Sequence, residues 1–243
     1  MKSIQSAWAM LIGLFLLVAA TARGDDGGRQ ALTQWRAGEA VTAADVAAFG
    51  IERCFAVEEI SDALMERMQG RSFRQNPHIK RGDLRYVRAL HYDAEGRIRI
   101  GEMVCNSAIA QDLVEIFREL YRARYPIGRM VLIDEYDADD ERSMRANNSS
   151  CFCYRPIAGS SKLSLHAQGR AVDINTLYNP YVRRRADGTL FVQPATGRKY
   201  VDRTKSFPYK IEQGDLCHRL FTQHGFRWGG AWKRTKDYQH FEK

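Results

Sequence analysis

The 243-residue chain contains no internal repeat and no low-complexity tract, so repeat arrays and disordered low-complexity proteins are excluded. It has one long apolar run, from Trp8 to about Ala20, and no second, which excludes a multi-span membrane protein. The run is shorter than the ~20 residues a span needs. Lys2 precedes it and Ala20-Thr21-Ala22 follows, so residues 1–22 read as a secretory signal cleaved after Ala22. No Cys stands at that junction, which removes a bacterial lipid anchor. The mature protein is expected to be exported, periplasmic or extracellular, without stable membrane insertion. No C-x-x-C pair exists, so Cys151-Phe-Cys153 is a poor metal site. No nucleic-acid motif accompanies the basic charge, and export also argues against a nucleic-acid partner.

The remaining stretch of about 220 residues suits one domain with elaborations. Hydrophobic residues make up 44%, enough for a real core. Formal charge is +8, and loss of Lys2 with the signal leaves +7, which suits an anionic surface or polymer. Five cysteines, Cys54, Cys105, Cys151, Cys153 and Cys217, would allow at most two disulfides in an oxidising compartment.

Residues 23–45 begin polar and Gly-containing and read as a linker into a domain at 46–243. Periodicity predicts a helix from Ser61 to Met68 and an amphipathic one from Ala108 to Arg124, ended by Pro126. Leu84–Tyr92 and Arg97–Ile100 flank the turn Asp93-Ala-Glu-Gly96 and read as a hairpin. Met130–Ile133 reads as a short strand and Asp134–Ser150 as an acidic loop. Ala171–Ile174, Phe226–Trp228 and Gln239–Phe241 are further strands. Asn179–Tyr209 is a long excursion with a small hairpin around Asp187-Gly188. Asp215–His224 is a helix stopped by Gly225.

Two segments carry chemistry: Ser164-Leu-His166-Ala-Gln-Gly169-Arg-Ala171-Val-Asp173 and Asp237-Tyr-Gln-His240. A turn at Gly169 into a strand at Ala171 would aim Asp173 at His166. Two His and one Asp, His166, His240 and Asp173, make a ligand set for one catalytic Zn²⁺ with an open fourth position. Asp237, three residues before His240, is placed to take a proton from the water the ion acidifies and return it to the leaving amine. His78, His91, His218 and His224 read as structural or exposed.

At these residues the chain resembles the zinc D-alanyl-D-alanine carboxypeptidase and L-alanyl-D-glutamate peptidase family of cell-wall enzymes. The signature S-x-H-x-x-G-x-A-x-D followed by E/D-x-x-H is matched at every fixed position. Trp228-Gly-Gly-Ala-Trp232 and His240-Phe-Glu242 also look like endings seen there. The resemblance is firm over about 140–243, the catalytic core, and looser back to about 50. It implies an α+β fold: a small central antiparallel sheet carrying zinc, flanked by helices, as in lysostaphin-type endopeptidases and the hedgehog domain. It implies His166, Asp173 and His240 as ligands of one Zn²⁺ and Asp237 as catalytic base. Arg155, of the Tyr154-Arg155 pair, would hold substrate and stabilise the oxyanion. Ser164 would bind substrate or support a ligand. The expected partner is peptidoglycan or a muropeptide, cut as a D-alanyl-D-alanine carboxypeptidase. The alternatives are an L-alanyl-D-glutamate-type endopeptidase, a non-catalytic zinc-containing wall- or protein-binding module, or a disulfide-stabilised protein with incidental His residues. Oligomeric state is not legible.

Overall fold

The computed structural model describes residues 25–157 and 162–243. The signal segment read at 1–22 lies outside the described residues. The architecture is α+β, with antiparallel sheets and helices packed on them. The largest sheet has the order β1-β4-β3-β2, built from β1 (Ala40–Val41), β2 (Ala56–Glu59), β3 (Leu84–Tyr92) and β4 (Ile98–Asn106). The hairpin read from sequence is its centre. Leu84 pairs with Asn106 and Tyr92 with Ile98, so the second strand runs well past Ile100.

Helix α4 (Ser107–Arg122) begins where β4 ends. The Asn106 side chain caps it by accepting from the Ala108 N–H. Ile109, Leu113, Ile116, Phe117 and Leu120 are all buried, as their spacing predicts. They join a core that reaches from Leu32 through Val87 and Ile100 to Phe241. A smaller cluster around Met68, Leu84 and Phe152 includes the buried side of α3 (Asp62–Met68), capped by Ser61.

Residues 23–45 are not a linker in the described part. Asp25–Gln34 forms α1, followed by β1 and then α2 (Ala43–Phe49). Ala31, Leu32 and Trp35 are buried in the main core, and the Trp35 indole N–H donates to the Gly101 carbonyl at 3.1 Å. Tertiary packing overrides the poor helix propensity of Gly27-Gly28. Met130–Ile133 is not a strand either. The Asn148 side chain occupies the place of a partner strand: it accepts from the Val131 N–H and donates to the Val131 carbonyl, both at 3.0 Å. The acidic stretch after it holds a 3-10 turn at Ile133–Tyr136 and a short helix, α5 (Asp140–Arg145).

Two three-stranded sheets build the C-terminal half. One has the order β5-β10-β8, from β5 (Ala171–Asp173), β8 (Arg227–Trp228) and β10 (His240–Glu242). The other has the order β7-β6-β9, from β6 (Tyr181–Arg184), β7 (Leu190–Gln193) and β9 (Thr235–Asp237). The excursion after Asn179 therefore forms the expected hairpin and adds it to β9. Helix α6 (Leu216–Gln223), capped by Asp215, presses Phe221 onto Phe241 with ring centroids 4.2 Å apart.

All five cysteines are buried free thiols, so the disulfide reading is not met. Burial pushes the Cys54 thiol up to about 11 and Cys105, Cys151, Cys153 and Cys217 well above the usual range. No helix among the described residues is long and apolar enough to cross a membrane.

Candidate metal and catalytic site

Asp173 and His240 are directly opposite each other across the β5–β10 ladder, so backbone pairing fixes their separation. His166 comes from a 3-10 turn, Leu165–Gln168, beside them. Ser164 caps that turn, its hydroxyl oxygen accepting from the His166 N–H at 3.2 Å. Gly169 ends the turn at φ 66, and the chain enters β5 two residues later, as the spacing requires. A Cβ on Gly169 would stand 2.6 Å from the Asn106 backbone nitrogen, so the turn lies flush on β4.

His166, Asp173 and His240 converge and could hold a metal ion, their ligand atoms lying within 4.8 Å of one another. His166 Nε2 is 3.3 Å from His240 Nδ1 and 3.2 Å from Asp173 Oδ2, and His240 Nδ1 is 3.0 Å from Asp173 Oδ1. A tetrahedral ion with bonds of about 2.0–2.1 Å separates its ligand atoms by about 3.3 Å, so the donor set fits. The outer ring nitrogens are held as well. His166 Nδ1 lies 2.7 Å from the Cys151 carbonyl oxygen, which accepts a hydrogen bond from the Nδ1–H and leaves Nε2 to face the cluster. His240 Nε2 lies 3.2 Å from Glu242 Oε2, while Glu242 Oε1 accepts from Arg227 at 2.8 Å.

Charge in the cluster is strongly biased. Burial acts to raise the Asp173 carboxyl, but His166 and His240 outweigh it and hold the group well below the carboxylate range. Burial opposes charge on His240, yet Asp173 and Glu242 outweigh it and lift the imidazole to about 10. Metal-free protein thus carries a proton on His240 at neutral pH. That charge contributes stability below about pH 6.5, and the contribution is lost as pH rises through about 10. Metal uptake must displace the proton. We expect about one proton released per ion at pH 7.5, read as the buffer dependence of the calorimetric binding enthalpy. Affinity should fall as pH is lowered. Release of no proton would place His240 outside the ligand set.

Asp237 ends β9 and His240 begins β10, so the D-x-x-H spacing spans the switch between two sheets. Tyr238 and Gln239 make the crossing, their carbonyls accepting from the Trp228 indole and the Ile174 N–H. Asp237 Oδ1 is buried without a hydrogen-bond partner, in a cleft of about 520 Å³ that also receives His166, Asp173 and His240. Burial, with the charge of Asp173, raises its carboxyl to about 7, against the pull of His240.

Arg155 lines the same cleft, and its Nε lies 2.5 Å from Asp140 Oδ2 on α5. Burial lifts the Asp140 carboxyl above the usual range, opposed by Arg155 and His166. Ser164 also lines the cleft, so its hydroxyl proton can serve a substrate while its oxygen caps the His166 turn. The other histidines stand apart from this group: His91 is buried against the Ile127 carbonyl, His224 pairs with Asp112, and His218 accepts from the Gly214 N–H.

Sequence reading assigned no role to Asp140, Glu242 or the Cys151 carbonyl. Glu242 carried a usable signal, because two residues beyond His240 on a strand is the same face. Asp140 is one of six acids between Asp134 and Glu141 and carried none. Glu242→Gln is expected to weaken metal binding 10- to 100-fold, measured by competition with a chelating dye. Unchanged affinity would show that Glu242 does not orient His240.

These features define a candidate metal site. Residues 158–243 match the family model described as D-alanyl-D-alanine carboxypeptidase. No curated protein and no solved structure matches the chain.

Proposed function

We propose that the protein is an exported zinc peptidase that hydrolyses peptide bonds in peptidoglycan stem peptides, removing the terminal D-alanine. The observation that carries this reading is the unpartnered, buried Asp237 oxygen beside three convergent ligands in one cleft. A pure binding site has no use for a buried carboxylate oxygen left without a partner. The family match over 158–243 supports the substrate class.

His166, Asp173 and His240 would hold the ion. Once bound, Zn²⁺ supplies Lewis acidity to a water and to the scissile carbonyl. Asp237 Oδ1 accepts the proton of the attacking water and passes it to the leaving nitrogen, a task suited to a buried carboxylate oxygen without a partner in the cleft. Arg155 places its guanidinium on the same cleft, where it can hold the substrate carbonyl as negative charge develops. Asp140 pairs with the Arg155 guanidinium on its Nε side and helps position it in the cleft. Asp140 is itself tied up in that pair, which leaves Asp237 as the free base.

The test is digestion of defined muropeptides, with products weighed by mass spectrometry, before and after chelation. Loss of a single terminal D-alanine, abolished by chelator and restored by zinc, is the expected result. An internal cut would make the protein an endopeptidase. Intact peptides in every condition would leave only a binding module. Export is tested by N-terminal sequencing of secreted protein, which should begin at Arg23.

A further inference from the structure

We propose that Arg183, on the hairpin added after the first ligand motif, binds the free C-terminal carboxylate of the peptide. The inference rests on the hydrolytic reading above and adds a specificity residue to it.

The β7-β6-β9 sheet turns one face to the cleft. Tyr181 and Arg183 of β6, Phe191 and Gln193 of β7, and Thr235 and Asp237 of β9 all line it. The register explains why. Tyr181 is opposite both Gln193 and Asp237, and Arg183 is opposite both Phe191 and Thr235. Alternation along each strand then puts these six side chains on one side. Arg183 lies two residues along β6 from the position facing Asp237, a displacement of about 7 Å. An extended peptide advances about 3.3–3.6 Å per residue. A peptide with its scissile carbonyl at Asp237 therefore brings a group one to two residues away within reach of the Arg183 side chain.

The charge at that position is unmatched. Arg183 is exposed, and among the described residues it makes no ion pair; its guanidinium carbon sits 5.6 Å from the Phe191 ring centroid. Arg185 lies over the same ring at 5.1 Å and adds positive charge. Across the cleft, Arg155 is already neutralised by Asp140. The uncompensated cation of the cleft wall is thus on the hairpin, and a planar guanidinium braced by an aromatic ring suits a carboxylate. A terminal carboxylate just beyond the scissile bond is the group such a substrate offers.

The test uses the full, zinc-loaded protein and paired stem peptides that differ only in a free or amidated C-terminus. Wild type should prefer the free acid by 10- to 30-fold in kcat/KM, mostly through KM. Arg183→Gln should lose that factor on the acid and nothing on the amide, and Arg183→Lys should keep part of it. The same preference is measured by calorimetry on the zinc-loaded Asp237→Asn protein, with and without Arg183→Gln. Equal losses on acid and amide, or a preference that survives Arg183→Gln, would overturn the assignment. Peptides that bind with an Arg183-dependent acid preference but are never cleaved would support Arg183 and overturn the hydrolytic reading instead.

Discussion

Asp237→Asn is expected to lower kcat/KM on a stem peptide by about 10³-fold while leaving metal content unchanged. The amide keeps the shape of the side chain and cannot take the proton. The ligands are untouched, because Asp237 is outside the convergent group of His166, Asp173 and His240. Steady-state kinetics and metal analysis on one preparation check both halves. Turnover at the wild-type rate would remove Asp237 from the reaction. The same substitution should stabilise the metal-free protein above neutrality. Burial raises the Asp237 carboxyl from 3.8 to about 7, so ionising it costs more in the folded chain than in the unfolded one. The stability of the neutral form is fully present below about pH 3.8 and is lost as pH climbs through about 7. Above pH 7 the cost levels off at roughly 4 kcal/mol, since each tenfold weakening of the acid is worth about 1.4 kcal/mol. Urea unfolding under chelation at pH 8 should place the Asn variant above wild type, and the difference should vanish near pH 4. A base left unsatisfied for reaction thus lowers stability, a familiar trade at functional sites.

The convergence of His166, Asp173 and His240 was legible in part because two of the three are close in the chain. Ser164, His166, Gly169, Ala171 and Asp173 lie within ten residues, and each position has a separate physical need: cap, imidazole facing the cluster, tight turn, small neighbour, carboxylate facing the cluster. The D-x-x-H spacing was equally plain, although its cause, a crossover between two sheets, was not. What stayed hidden depends on contacts distant in sequence. Asp140 acquires a role only because α5 packs near Arg155. Cys151 acts through its carbonyl, which side-chain chemistry cannot reveal. The strut around it is held by backbone bonds from Phe152 to Val104 and from Cys153 to His166, so its thiols are buried where a bridge was allowed. Local pattern misled at the two ends of the hydropathy scale. Polar, Gly-containing residues 25–34 fold because Leu32 and Trp35 find the core, and apolar Met130–Ile133 forms no ladder because Asn148 satisfies Val131 first.

Gly229→Ala is expected to cost at least about 10²-fold in kcat/KM with the global fold retained. Gly229 follows β8 and passes beneath the catalytic crossover. A Cβ there would stand 2.7 Å from the Asp237 carbonyl oxygen, 2.9 Å from Asp237 Cβ and 3.2 Å from His240 Cβ. None of these atoms can rotate aside as the tip of a long side chain could. Either β9 or the start of β10 must shift, and they carry Asp237 and His240. A displacement near 1 Å at a catalytic group can cost about 10²-fold. The stability cost should be that of local overpacking, about 1–3 kcal/mol, because the nearest atoms the added methyl meets belong to Asp237 and His240 and not to α4. Gly169→Ala makes an instructive contrast. Its added Cβ meets the Asn106 backbone nitrogen at 2.6 Å, and its φ of 66 disfavours any side chain, so it should disturb His166 and the joint with β4 together. Circular dichroism, urea unfolding and metal titration on both variants separate the cases. Gly229→Ala should unfold cooperatively with a loss of about 1–3 kcal/mol, with weakened metal binding through His240 and turnover down by about 10²-fold. Gly169→Ala should lose stability and metal in parallel. Wild-type turnover in Gly229→Ala would mean that the crossover yields without moving Asp237, and that the close packing beneath it does not set the geometry of the site.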